Sequence, residues 1–581
     1  MPDPSPTSFV AGCSSPWWPA FLMVLLAVLH AVPIAAAGAS DAAASLDRLL
    51  ERAFAEQLEL DPSFAAQIGD PRHRDRLTIP WTEAHRQARR AWIRRHGEAL
   101  DAIDRNRLDP RRQVFYDAFR WQLDTTAEAL AHPGHLLPLM PGFGTPSTLA
   151  ETAAGHLDLD LSNVADAEAF LGRAEDFSPW VDATIAALED GRRRGIVHPK
   201  AVVYEAMRDL RDHTRRRSSG VFQRAVAAVP RHETELIGRL HETIETQVLP
   251  AYGRLHDYLR NDYLRAARES LGMADLPGGD AWYRERIRTF TSTDLDPEEI
   301  FAMGEREVKR VKKALRKVRW GQSLRRRTSS RREVLDRFRQ IEAKIRPALP
   351  RLFSRLPTTP LEVRDVSAER SVVPAGAFYE RPKHDGSPGI FYFGMRGGFD
   401  LSTAEVLYLH EALPGHHLQI ALARESRDLP EFLRHGYVGG YIEGWGLYSE
   451  SLGDELGLYT KADQKIGRLR YALGRAGRLI ADVGLHHRGW SRGRAEAELN
   501  RRGLDWAVRE LDRYAMIPGQ GLCYTVGELR FREWRRRAES ALGSAFDLRG
   551  FHDLVLGYGP LPLDVLEREV DRWIAEQRAN S

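Results

Sequence analysis

At 581 residues, with 43% hydrophobic and 28% charged residues, the chain is long enough for one very large domain or two to four smaller ones, and its composition is that of a soluble globular protein. A formal net charge of +3 is too small for this length to argue for nucleic acid as a partner. The 2 cysteines, Cys13 and Cys523, exclude a disulfide-stapled fold, and Cys523 reads as a small buried side chain rather than a nucleophile.

The apolar run from Trp17 to Ala37 is followed by Gly38 and Ala39. It reads as a signal peptide with a small-residue cleavage site after Ala37 or Ala39. Residues 1–39 are therefore expected to be a leader, and the mature protein to be periplasmic or extracellular. The segment before the run carries Asp3 but no Lys or Arg, and the run is just long enough to stay as a membrane anchor, which is the alternative. Val10-Ala11-Gly12-Cys13 resembles a lipoprotein box, but no apolar segment precedes it, so it is set aside.

From Ala42 to about Thr126 the pattern is helical, with Leu46, Leu49, Leu50 and Phe54 at helical spacing. Asp61-Pro62-Ser63 starts a new segment, and Ala84 to Arg107 predicts an Arg-rich amphipathic helix with a solvated face. His132-Pro133-Gly134-His135 invites a metal reading, but Pro and Gly more simply mark a loop. Asn163 to Val203 and Glu233 to Leu271 again predict helices. Asp296-Pro297-Glu298-Glu299 has the cap, the proline and the acidic first turn of a helix start.

Basic residues then crowd one segment: Lys309, Arg310, Lys312, Lys313, Arg316, Lys317 and Arg319, followed by Arg325-Arg326-Arg327 and Arg331-Arg332. Val308, Val311, Leu315 and Val318 recur among them at helical spacing, which predicts a helix docked by its apolar stripe with the basic face in water. A contact with nucleic acid or anionic lipid is the weaker reading, because interleaved aromatics and DNA-binding patterns are missing. Between Leu361 and Met395 the character turns β-like, with Val363, Val366, Val372, Val373 and the run Ile390-Phe391-Tyr392-Phe393, and with a turn signal at Asp385-Gly386. A small sheet or hairpin is expected there, and an exposed edge strand could bind an extended peptide. Ser402-Thr403-Ala404-Glu405 has the form of a capping box that starts the next helix.

That helix carries His410-Glu411-Ala412-Leu413-Pro414-Gly415-His416-His417, and Glu443 follows in Glu443-Gly444-Trp445. Two histidines, a glutamate directly after the first and a second glutamate further on make up the parts of a zinc hydrolase: three ligands, an open position for water, and a carboxylate to move the proton. The spacing departs from His-Glu-x-x-His, because Pro414 stands where the second histidine belongs. Along a regular helix His416 would lie roughly 9 Å from His410 in rise, too far to share an ion. Proline disfavours the regular path and glycine eases an irregular one, so a break at Pro414-Gly415 is expected to bring His416 back, with His417 as the fallback ligand. A simple helix stop is the plain alternative. A second helix is expected from about Gly440, with Glu450 two turns after Glu443, either orienting a ligand histidine or lying on the surface.

HEALPGHHLQ followed by YIEGWGLYSE resembles a large bacterial domain family of unknown function, number eight-eight-five, whose pattern is His-Glu-x-x-Pro-Gly-His and then Glu-Gly-Trp. The resemblance continues in RLIADVGLHHRGW (Arg478 to Trp490), RYAMIPGQGLCYTVG (Arg513 to Gly527), DGSPGIFYFG (Asp385 to Gly394), DPSFAAQIGD and DRLT, and so spans nearly the whole mature chain. Such proteins look like mostly helical zinc peptidases, distantly similar to thimet-oligopeptidase and Taq-carboxypeptidase enzymes. The resemblance implies His410, His416 and Glu443 as ligands and Glu411 as catalyst, and it does not bring a substrate.

Further along, Asp482 and His486 stand one turn apart, as a donor pair near the substrate or as a structural pair. Tyr514 and Tyr524 flank the Gly-rich stretch Pro518-Gly519-Gln520-Gly521, and Tyr524 is the choice for stabilising an oxyanion. Arg513 is read either as holding a peptide carboxylate or as forming a salt bridge. Asp547 to Gln577 closes the chain with an amphipathic helix after Pro560 and Pro562.

The fold expected is mainly α: a large helical gluzincin-like metallopeptidase around a cleft, with a small β element before the zinc helix. Residues 40–581 form one catalytic unit, or two lobes meeting near residue 290. The function expected is zinc-dependent hydrolysis of short peptides, with Glu411 as general base and Tyr524 and His486 assisting. Hydrolysis of a non-peptide amide is the alternative, and a zinc-less binding protein on the same scaffold is the alternative of another class.

Overall fold

Leu46, Leu49, Leu50 and Phe54 all point into the core from the first helix, 41–60, as their spacing predicts. The structure is a computed structural model that describes residues 41–214, 216–318, 327–366, 376–383 and 386–580. The expected leader, residues 1–39 with Cys13, and Arg319, Arg325, Arg326, Val372, Val373 and Asp385, lie outside the described residues. The architecture is mainly helical with two small sheets. Among the described residues no helix is long and apolar enough to cross a membrane.

Local chemistry sets most helix starts. The helix Pro62–Ile68 begins at Asp61, whose carboxylate accepts from the Phe64 amide at 3.1 Å. In α1, Pro297–Lys317, Asp296 accepts from the Glu298 amide at 2.8 Å while Glu299 accepts from the Asp296 amide at 3.0 Å, a reciprocal cap with proline at the first position. Ile300, Phe301, Val308 and Val311 of α1 are buried, Leu315 is half-buried, and Lys309, Arg310, Lys313, Arg316 and Lys317 are exposed. His132 and His135 sit around the short turn Gly134–Leu136, and the His132 ring stacks on Trp282 with centroids 6.0 Å apart.

The β element consists of β1 (Leu361–Asp365), β2 (Ala377–Glu380) and β3 (Gly389–Phe393). β3 lies in the middle, parallel to β1 and antiparallel to β2, so β2 stands at an edge of the described sheet. Every residue of β3 is buried, as its unbroken apolar sequence requires. A two-residue ladder pairs Arg327–Thr328 with Phe399–Asp400.

Four helices follow that carry the site: α2 (Ala404–Glu411), α3 (His416–Glu425), α4 (Gly439–Ser451) and α5 (Ala462–His486); α6 (Cys523–Leu542) packs along α4. The capping box expected at Ser402 does not form. Asp400 instead caps the short turn Leu401–Thr403 that leads into α2, accepting from the Ser402 amide at 3.1 Å, and Glu405 is fully buried, bound by Arg337 and by Gln464 Nε2 at 2.6 Å. A buried charge held by two donors outweighs a local backbone cap.

Two hydrophobic cores organise the packing, and they cut across a division near residue 290. The first joins the N-terminal helices up to Leu123 to the segments Val334–Tyr459 and Phe531–Ile574. The second joins Leu136–Val308 to Ala476–Val526, with Ala476, Leu479 and Ile480 of α5 among its members. The chain thus leaves its first core after Leu123 and returns to it at Val334.

Candidate metal centre

α2 and α3 are one helix interrupted. After Glu411 the backbone leaves the helical path at Ala412 (φ −105°, ψ −111°), and Gly415 (φ −77°, ψ −132°) precedes the new start at His416. The Leu413–Pro414 peptide is cis. The break expected between Leu413 and His416 is therefore present and begins one residue earlier. Two contacts hold it. Trp445 Nε1 donates to the Pro414 carbonyl at 2.9 Å. Gly415 lies so close to the end of α2 that a Cβ there would stand 2.0 Å from the His410 carbonyl oxygen and 2.3 Å from that of Leu409.

The interruption brings two imidazoles together. The rings of His410 and His416 have centroids 4.7 Å apart and planes at 80°. The Nε2 atom of each lies 3.6 Å from one oxygen, Glu443 Oε2, near the start of α4. That is too long for a hydrogen bond. It is close to the roughly 3.3 Å edge between ligand atoms bound at about 2.0–2.1 Å to one tetrahedral ion. Glu411 joins the same cluster: ligand atoms of His410, Glu411 and His416 all lie within 4.8 Å of one another, and all three residues are buried. The group could hold a metal ion. Glu411 and Glu443 both reach it, and Glu443 is the one whose single oxygen is equidistant from both imidazoles. Two imidazoles and a carboxylate fit zinc and other first-row dications. His417 faces the other way. Its Nδ1 meets the Tyr379 hydroxyl of β2 at 3.1 Å, and the rings meet edge to face at 5.6 Å.

Comparison with known proteins places the chain in a family. The description "Bacterial protein of unknown function (DUF885)" matches residues 62–570. The chain belongs to this family. Two solved structures are similar to it: a candidate lipoprotein from Colwellia psychrerythraea, with 23% identity, 91% of this chain and 99% of that chain covered and a TM-score of 0.82, and a candidate lipoprotein of unknown function from Shewanella oneidensis, with 17% identity, 90% and 99% covered and a TM-score of 0.67. At these identities they share the fold. No curated protein matches the chain.

In this DUF885 chain, the residues around the cluster fix its orientation. Glu450, two turns beyond Glu443 on α4, meets His410 Nδ1 at 2.9 Å and leaves Nε2 free for the centre. Burial alone would depress the His410 imidazole, but the Glu443 and Glu450 carboxylates outweigh it and raise it to about 9. Burial pushes the Glu411 carboxyl up, against the two histidines that pull it down. Burial acts the same way on Glu443, yet there the pair of imidazoles wins and holds the carboxyl well below its ordinary value.

Tyr524, on the first turn of α6, is brought beside the cluster. Its ring lies nearly parallel to that of His410, with centroids 6.4 Å apart. Burial and the Glu443 carboxylate raise the phenol, against the guanidiniums of Arg513 and Arg478. Arg513 itself donates to Gln520 Oε1 at 3.0 Å and pairs with Glu510 at 3.7 Å.

His486 is not brought to the cluster. Its Nδ1 accepts from the Met273 amide at 3.1 Å and its Nε2 donates to the Tyr514 carbonyl at 3.0 Å, so backbone groups take both ring nitrogens. Full burial lowers it to about 3, which keeps it neutral. The expected catalytic role is therefore corrected to a structural one. Its neighbour Asp482 is likewise committed, accepting from the Tyr283 hydroxyl at 2.6 Å and from the Gly519 amide at 3.1 Å. It anchors the Gly-rich loop before Tyr524.

Two further residues escaped the sequence reading. Arg475 and Arg478 of α5 are 7% and 3% exposed and lie over the Tyr524 ring, their guanidinium carbons 5.4 and 4.4 Å from its centre. Their spacing with Tyr471 and Asp482 along one helix face was the available signal. A cavity of about 1110 Å³ opens elsewhere, between β2 and the N-terminal helices; Phe378, Tyr379, Trp81 and Arg173 line it, and no residue of the metal cluster does.

Proposed function

We propose that the protein is a zinc-dependent metallopeptidase acting on short peptides. The observation that carries this is the convergence of His410 Nε2 and His416 Nε2 on one oxygen of Glu443, 3.6 Å from each, with Glu411 in the same buried cluster. A binding site for structural zinc is closed by its ligands; a buried carboxylate left over beside two imidazoles and a third ligand suits hydrolysis. The bound dication supplies Lewis acidity and eases ionisation of water. Glu411 takes the proton of the attacking water and passes it to the leaving amine. The Tyr524 hydroxyl donates to the developing oxyanion. Glu450 fixes the His410 ring through Nδ1. The edge position of β2, which suits an extended peptide, goes with this reading. Hydrolysis of a non-peptide amide would use the same groups.

Peptide is the partner proposed. The basic face of α1 is read as solvated, supported by the burial of Val308 and Val311 on its other side. The apolar run from Trp17 to Ala37 and the two solved relatives called lipoprotein candidates support export. The test is metal analysis of the purified mature protein, with a peptide-library digest and product identification in the presence and absence of chelator. About one zinc per chain and chelator-sensitive cleavage are expected. Cleavage that ignores the chelator, or no metal after reconstitution, removes the proposal.

A further inference from the structure

Arg475, Arg478 and Arg513 gather behind Tyr524, and Arg478 and Arg513 share one carboxylate. Arg478 Nη2 donates to Glu510 Oε2 at 2.9 Å, and Arg513 reaches the same oxygen at 3.7 Å. Nε and Nη1 of Arg478 have no hydrogen-bond partner among the described residues, although both atoms are buried. The same is true of Nε and Nη1 of Arg475. Aromatic faces flank both side chains, Trp506 at 5.2 and 5.0 Å and Tyr524 at 5.4 and 4.4 Å. Those faces stabilise the cations but accept no in-plane N–H. Buried donors of a charged group are ordinarily satisfied, and a guanidinium edge matches a carboxylate in two parallel bonds.

Tyr524 separates the arginine pair from His410, whose ring centre is 6.4 Å from the tyrosine's. Arg475 also acts electrostatically on Glu411. The Tyr524 ring centre is 4.4 Å from the Arg478 guanidinium and 6.4 Å from the His410 ring centre, so the two lie no more than about 11 Å apart, a span that an extended peptide, at about 3.3–3.6 Å per residue, can bridge with its carboxylate on the guanidinium and a carbonyl one or two residues earlier at the metal cluster.

We propose that Arg475 and Arg478 bind the C-terminal carboxylate of the substrate, so that the enzyme removes one or two residues from the free C terminus of a peptide. This rests on the peptidase reading above. In the reaction water adds to the carbonyl carbon of the scissile amide, the C–N bond breaks, and the proton carried by Glu411 goes to the departing amine. The products are a shortened peptide with a new carboxylate and a free amino acid or dipeptide. Arg513 keeps Gln520 and Glu510 as its partners and takes no part in holding the carboxylate.

The test uses a set of N-acetylated hexapeptides, each as the free acid and as the C-terminal amide, with two readouts. Product identification by mass spectrometry follows cleavage by the zinc-loaded full chain. Calorimetry follows binding of the same peptides to the zinc-loaded Glu411→Gln protein. Free acids are expected to lose one or two C-terminal residues and to bind about ten- to a hundredfold more tightly than amides, the scale of a charge-assisted contact. In the Glu411→Gln background, Arg475→Gln and Arg478→Gln should each abolish that acid-over-amide preference, with Arg475→Lys restoring part of it; in the active enzyme the loss should fall on KM more than on kcat. Equal cleavage of acids and amides at internal bonds overturns the carboxylate site and leaves the peptidase standing. Acid-selective binding that depends on Arg475 or Arg478, without cleavage of any peptide, supports the site and removes the peptidase. Equal binding of acids and amides overturns the site whatever is cleaved.

Discussion

Gly446 has no side chain where the His410 ring stands: a Cβ at 446 would lie 2.7 Å from His410 Cε1 and 3.0 Å from both ring nitrogens. The relationship explains how α4 builds the centre. Glu443, Gly446 and Glu450 follow one another by three and four residues and so share a face. The first offers an oxygen to Nε2, the second makes room for the ring, and the third bonds Nδ1. Gly446→Val is expected to displace His410 and lower zinc affinity, with the helix content seen by circular dichroism unchanged. Glu450→Gln, which keeps the shape and loses the charge, should weaken zinc by about 10–100-fold. Competition titration with a chromophoric chelator measures both, and unchanged affinity in both would separate α4 from the centre.

Glu411→Gln should keep zinc and lose turnover by about two to four orders of magnitude, the usual scale of a general base. Glu443→Gln should lose zinc first. Metal content and turnover measured on the two variants side by side assign the roles: if Glu411→Gln were the variant that loses metal, the two carboxylates would exchange places in the mechanism.

Asp482 links stability to pH. Full burial pushes its carboxyl from 3.8 up to about 7, against the Tyr283 hydroxyl and the Gly519 amide, which favour the charged form. A carboxyl with a raised folded-state pKa takes up a proton on folding between those two values. Its contribution to stability is fully present below pH 3.8 and is lost as pH rises through about 7. Asp482→Asn has no proton to lose. The variant should therefore gain on the wild type from about pH 4 to pH 7, by at most about 1.4 kcal/mol per pH unit, and run parallel to it above. Urea unfolding at several pH values reads the difference, and a constant offset between the two proteins would refute the assignment.

The centre was legible because its chemistry is local in sequence. His410, Glu411 and His416 lie within one short stretch, and Pro414-Gly415 between them announces a break by the backbone restrictions of those two residues. The existence of a small β element before α2 and the cap at Asp296 were legible for the same reason, whereas the parallel pairing of β1 with β3 was not. What misled were patterns that long-range contacts override. Ser402 to Glu405 has a capping box's spacing, but Arg337 and Gln464, distant in the chain, claim Glu405. Asp482 and His486 do stand one turn apart, yet the backbone at Met273 and Tyr514 occupies the histidine, and nothing within α5 reports that. Nor does any periodicity say that the helix beginning at residue 41 shares its core with the C-terminal helices.

Gly415 offers the sharpest test of the break itself. Since proline disfavours the regular path and glycine eases an irregular one, alanine at both 414 and 415 should restore helical preference and weaken zinc. The structure adds a stricter requirement. A methyl group at 415 would sit 2.0 Å from the His410 carbonyl oxygen, and that neighbour is backbone, which cannot swing aside as a flexible side chain does. Gly415→Ala alone must then push the start of α3 away from the end of α2. His416 is the first residue of α3, so the displacement reaches the centre at once. Overpacking of this kind costs about 1–3 kcal/mol of stability, small enough for a chain of this size to stay folded. The expected outcome is a modest drop in the unfolding midpoint together with a loss of zinc affinity well beyond it, while Gly220→Ala, at a helical glycine with no described atom within 4 Å of its Cβ position, leaves zinc affinity unchanged and raises the midpoint slightly. If Gly415→Ala bound zinc as tightly as the wild type, His416 could not depend on the close approach of the two helix ends, and its place as a ligand would fall with it.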